Sequence, residues 1–99
     1  MRKINIYFGK DKVNSRMLLI ENVEEKKVIT FNGGSNGLID DVVDLYSENV
    51  IEKLKEHFNE LIKTNSLNNF TDMIADDNLH NNDILNEFEL TKIAEYEEK

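Results

Sequence analysis

The hydropathy of this chain changes period part-way along, and that change constrains its fold more than any other feature. Ile4, Ile6 and Phe8 alternate with Lys3, Asn5 and Tyr7, the period-two pattern of a half-buried strand. Two further short apolar runs, 17–20 and 28–31, are rich in strand-favouring residues. Polar stretches separate the three: 9–15 reads as a turn, and Val23-Glu24-Glu25-Lys26 as a hairpin loop. The first third is expected to be a three-stranded antiparallel meander.

Gly33-Gly34-Ser35-Asn36-Gly37 ends that pattern, with Asn36 placed to cap a following helix. Leu38, Ile39, Val42, Val43, Leu45 and Tyr46 then share one helical face. Val50, Ile51, Leu54, Phe58, Leu61 and Ile62 share another, displaced from the first. One straight helix would bury one stripe and expose the other. A break is therefore expected near 46–49, with Ser47 capping a second helix that runs to about Thr64. Asn65 to Asn69 reads as a loop, Phe70, Met73 and Ile74 as one or two helical turns, and 76–83 as polar loop. In the tail, Phe88, Leu90, Ala94 and Tyr96 fit a strand, whereas Leu90, Ile93 and Ala94 fit a helix. The strand is the reading taken. With no repeat and no linker, residues 1–99 are expected to form a single domain. The fold class expected is α+β: a small antiparallel sheet of three N-terminal strands and a C-terminal fourth, packed against two or three acidic helices.

Composition narrows the chemistry. The chain has no cysteine, which excludes disulfides, thiolate metal sites and cysteine nucleophiles and fits a reducing compartment. No apolar run approaches the roughly 18 residues of a membrane span, and the opening Met1-Arg2-Lys3-Ile4-Asn5-Ile6 does not read as a signal peptide. Abundant Asn, Lys and Ile with little Arg and no Pro or Trp suggest an AT-rich genome. The cytoplasm of a bacterial cell is the expected location. The net charge is −8 and it is unevenly spread. Residues 1–39 carry seven basic and four acidic side chains, a net of +3; residues 40–99 carry five and sixteen, a net of −11. An anionic half of this kind marks an interaction face and argues against direct nucleic-acid binding, which needs a basic footprint; the plainer reading is solubility.

Local motifs for catalysis or metal binding are weak. The 33–37 loop lacks the lysine of a phosphate loop, and Asp40 and Asp41 in the first turn beyond it would repel an anion. Asp76, Asn78, His80 and Glu87 fall at calcium-loop positions, but Asn81 stands where the loop needs glycine. His57 and His80 have no serine placed beside them by sequence. The chain is read as a non-enzyme, without cofactor or metal.

The distinctive motif is a ladder of acids at every fourth position: Asp40, Asp44, Glu48, Glu52, Glu56 and Glu60, with Asp41 beside the first. On a helix each step rises about 6 Å, and the ladder lies opposite the apolar stripe. One reading is an ordinary solvated face. The other is a line of exposed negative charge that imitates a phosphate strand and occupies a basic nucleic-acid channel. Ser47-Glu48-Asn49-Val50-Ile51-Glu52-Lys53 followed by Phe58 resembles a segment of the type II-A anti-CRISPR inhibitors of Listeria prophages, small proteins in which a sheet is followed by acidic helices. The chain departs from them in opening with a strand. The resemblance implies a protein partner with a basic groove, such as a CRISPR effector nuclease, and no direct contact with nucleic acid or membrane. The ladder acids are the expected partner-binding residues. The rival expectation is a regulatory or structural interaction protein that works through an apolar surface or a sheet edge, as a homodimer.

Overall fold

The computed structural model describes residues 2–31, 45–64 and 79–98. Among these residues it is an α+β arrangement: an antiparallel sheet covered on one face by one α-helix. The elements are β1 (Arg2–Lys10), β2 (Arg16–Asn22), β3 (Lys27–Phe31), α1 (Val50–Lys63), β4 (Leu79–Asn81), a 3₁₀ segment (Asn82–Glu87) and β5 (Glu89–Glu98). The sheet order is β4-β3-β2-β1-β5.

The meander forms where the period-two pattern places it, and its turns are built by side chains. Asp11 Oδ1 accepts hydrogen bonds from the backbone N–H of Val13 (3.0 Å) and Ser15 (2.8 Å), closing the first turn. Asn14 there adopts φ 65°, and Lys26 adopts φ 55° in the second turn. Asn22 Oδ1 accepts from the Glu25 N–H at 3.2 Å. β1 runs to Lys10, so its last two residues lie in what the polarity of 9–15 marks as turn.

Register decides the two faces. Ile6 opposes Ile20 on one side and Ala94 on the other, and Phe8 opposes Leu18. These residues, with Ile4 and Ile93, meet Leu45, Val50, Leu54 and Phe58 in one buried cluster. α1 therefore docks by the stripe expected of it. Leu54 and Phe58 are fully buried, and Ile51, Leu61 and Ile62 pack at the margin. The helix starts at Val50 and ends with Thr64 as C-cap. Its N-cap is Asn49, not Ser47, and Asn49 makes no side-chain capping bond. Residues 45–49 form turns, so the chain is not helical over 46–49, where the break is expected. The first helix expected from Leu38 lies outside the described residues up to 44, and its last members, Leu45 and Tyr46, are in the turn; the helical turns at 70–74 also lie outside the described residues.

The second face is not simply solvated. β4 and β5 are opposite edges of the sheet, yet only the 3₁₀ segment and Phe88 separate them in sequence. The chain must cross the sheet between them, and it crosses the face away from α1. Leu19 and Val28 point to that face, and both are fully buried. Gly9 marks the closest approach: a Cβ there would stand 2.6 Å from Leu19 Cδ1 and 3.1 Å from Phe88 Cβ. The Asn82 N–H anchors the start of the crossing on the Lys26 carbonyl at 3.1 Å. β4 and the 3₁₀ segment replace part of the polar loop expected over 76–83.

Two substitutions test this packing by urea denaturation. Phe58→Ala empties the centre of the helix–sheet contact and is expected to cost about 3–5 kcal/mol. Gly9→Ala pushes a methyl into Leu19 and is expected to cost about 1–3 kcal/mol; an unchanged midpoint would contradict the crossing described above.

Candidate functional site

α1 presents one arc of carboxylates. Glu52, Glu56 and Glu60 are exposed on the side opposite Leu54 and Phe58, and Glu48 is exposed in the turn before the helix. Each step of four residues turns the side chain by about 40° as it rises, so the ladder winds gently around the helix. Arg16 sets the entry into it. Its Nη1 donates to the Leu45 carbonyl at 3.0 Å, and its guanidinium stacks between the rings of Phe8 (5.9 Å) and Tyr46 (5.1 Å). The turn that carries Glu48 is thereby pinned to the first residue of β2. None of Glu48, Glu52, Glu56 and Glu60 forms an ion pair with a described residue. Asp40, Asp41 and Asp44 lie outside the described residues, so the ladder is seen in its last four members.

Charge is distributed otherwise than the ladder alone suggests. α1 itself carries three glutamates and three lysines, Lys53, Lys55 and Lys63. The larger anionic surplus among the described residues is in 79–98, where Asp83, Glu87, Glu89, Glu95, Glu97 and Glu98 face a single Lys92. The helix acids are regularly spaced; the β5 acids are irregularly spaced, and only the sheet topology shows that they border one edge.

A polar cluster occupies the part of the second sheet face that the 3₁₀ crossing leaves open. Asn5 opposes Glu21 on β2 and Glu95 on β5. Glu21 Oε1 accepts from Asn5 Nδ2 at 3.2 Å and from the Tyr7 hydroxyl at 3.1 Å. Burial, then the charge of Glu21, pushes the Tyr7 hydroxyl above its ordinary pKa. Lys92 Nζ donates to Glu95 at 3.2 Å and holds that carboxyl below the usual range, with Lys3 4.0 Å away. Glu21 thus ties Asn5 and Tyr7 together, while Asn5 Oδ1 is buried without a hydrogen-bond partner.

The two histidines lie on different elements. His57 is half-buried on α1, edge-on to Phe58 at 5.3 Å, and burial lowers its pKa. His80 is in β4, and Glu87 ends the 3₁₀ segment. The residues matched to a calcium loop are thus divided between a strand and a helix where they are described. Among the described residues no group of three His, Asp or Glu side chains is placed to hold a metal. No protein-family model matches the chain, and no curated protein or solved structure matches it either.

The Tyr7–Glu21 contact gives a pH test. A raised folded pKa means the fold favours the neutral phenol. That contribution is complete below the unfolded value, about 10, and is lost as pH rises through the folded value. Ultraviolet titration is expected to place one tyrosine above the ordinary range, and Glu21→Gln is expected to move it down. A titration unaffected by Glu21→Gln would contradict the contact.

Proposed function

We propose that this protein is a non-enzymatic binding protein that inhibits a nucleic-acid-binding complex, in the manner of anti-CRISPR proteins, by presenting carboxylates to a basic groove. The observation that carries the reading is that Glu48, Glu52, Glu56 and Glu60 are all exposed and unpaired with any described cation, on a rigid helix and the turn pinned before it. Unneutralised acids on a fixed scaffold are what a groove lined with Arg and Lys recognises, and such contacts speed association and weaken with salt. Asp40, Asp41 and Asp44 belong to the proposed contact surface, as does a bacterial cytoplasmic setting. Among the described residues no helix is long and apolar enough to cross a membrane.

A second reading has its own observation. β5 is a ten-residue edge strand with β1 on one side and no described strand on the other. That favours an interaction protein that works through main-chain pairing.

The first reading is tested with a purified CRISPR effector nuclease and its guide, measuring binding of the protein with target DNA as competitor. The Glu48→Gln/Glu52→Gln/Glu56→Gln variant is expected to fold normally and bind roughly tenfold more weakly, with a shallower salt dependence. Parental affinity in the folded triple variant would overturn the ladder as the contact surface.

A further inference from the structure

The sheet has two edges of very different kind. β4 is three residues long and offers little backbone to a partner. β5 is ten residues long and pairs with β1 over its whole length. Among the described residues its outer edge has no neighbour, so alternate N–H and C=O groups face away from β1. A long unpaired edge is a template for another strand unless something blocks it.

Two devices limit what β5 accepts. The first is a bulge. Tyr7 opposes Lys92 and Ile6 opposes Ala94, which leaves Ile93 as the extra residue. The edge is divided there, and Ala94–Glu98 remains as a regular run. The second device is charge. In that run Glu95 and Glu97 are exposed and point to the face away from α1, as their partners Asn5 and Lys3 do. Ala94 and Tyr96 point to the other face and pack against the cluster under α1. Glu95 already has Lys92 and Lys3 beside it, whereas Glu97 forms no ion pair with a described residue.

This combination excludes some occupants. A second copy added antiparallel about Tyr96 sets Glu95 directly opposite Glu97, and like charges in opposed positions destabilise a pair. A copy shifted to set Lys92 opposite Glu95 sets Glu89 opposite Glu98 and has to pair across the bulge. A strand of opposite charge meets neither obstacle. Its basic side chains at alternate positions oppose Glu95 and Glu97, and its apolar side chains between them extend the Ala94–Tyr96 face.

We infer that the outer edge of β5, over Ala94–Glu98, is a docking site for an extended segment of another protein in which lysine or arginine alternates with apolar residues, added as a sixth strand of the sheet. The edge then acts as a filter: one sign of charge repels its own kind and admits the other. The site is distinct from the carboxylates of α1 and operates through the backbone as well as through charge.

The test uses the full chain and a short synthetic peptide alternating lysine and valine, followed by amide chemical-shift changes and by hydrogen exchange. The peptide is expected to shift amides of β5 and β1 and to slow exchange along β5. Glu95→Gln/Glu97→Gln is expected to weaken it roughly tenfold, while Glu52→Gln/Glu56→Gln/Glu60→Gln leaves it unchanged. A peptide N-methylated at alternate residues, and one with glutamate for lysine, are expected not to bind. Shifts confined to α1, equal binding of the N-methylated or acidic peptide, or no shift at all would overturn the inference. So would a concentration-dependent dimer in sedimentation that occupies the β5 edge, since a second copy would then be the occupant.

Discussion

The structure depends on β1. It is the strand through which both ends of the chain are joined, because β2 pairs along one side of it and β5 along the other. Its alternation sets the side on which α1 lies. Ile4, Ile6 and Phe8 fall on one face, and their partners Leu18, Ile20 and Ala94 follow by register. A slip of one residue would exchange that face with the one carrying Lys3, Asn5 and Tyr7, burying charge under the helix. The helix therefore enforces the register and the register positions the helix. Phe58 and Leu54 are the helix residues withdrawn from water completely, and they anchor this contact.

The opposite face shows how a short connection shapes a sheet. Six residues of 3₁₀ helix and Phe88 span from one edge strand to the other, a path longer per residue than an α-helix could cover. Leu19 and Val28 are buried beneath that path, and Gly9 gives it room. The remaining half of the face is held by Asn5, Tyr7 and Glu21, whose hydrogen bonds replace the cover that the crossing does not provide. β1 is thus covered on both sides over much of its length, more than a half-buried strand would be.

Among the described residues, exposed negative charge is concentrated on α1 with the turn before it and on 79–98. On α1 the glutamates are interleaved with an equal number of lysines, so their effect lies in local alignment along the helix and not in helix charge. On β5 and the segment before it acids outnumber the single lysine, and they border an edge that no described strand pairs with. The first surface suits a basic groove and the second suits a basic strand. Both are consistent with a protein that works by association, and each has a distinct physical signature: salt-dependent charge contact in one, main-chain pairing in the other.

Period and turn chemistry by themselves determined the meander, the non-helical stretch at 46–49, the C-terminal end of α1 and its buried face, because each follows from interactions between residues close in sequence. Val50, Leu54 and Phe58 fall on one side of any helix drawn through them, and Asp11 and Asn22 bend the chain through their own backbone neighbours. Residues 87–96 fitted strand and helix alike, since Phe88, Leu90, Ala94 and Tyr96 satisfy one period and Leu90, Ile93 and Ala94 the other; only pairing with β1, at the far end of the chain, made that segment a strand. Leu79–Asn81 carries no strand signal of its own and is extended because β3 offers it partners. Ser47 looked like a cap, but the helix begins at Val50 and Asn49 takes that place. The acids of β5 became an edge, and Gly9 a point of contact, only when strands distant in sequence were set side by side. Local periodicity chooses the elements; which of them share an edge, and what that edge can bind, is decided by long-range pairing that no local pattern records.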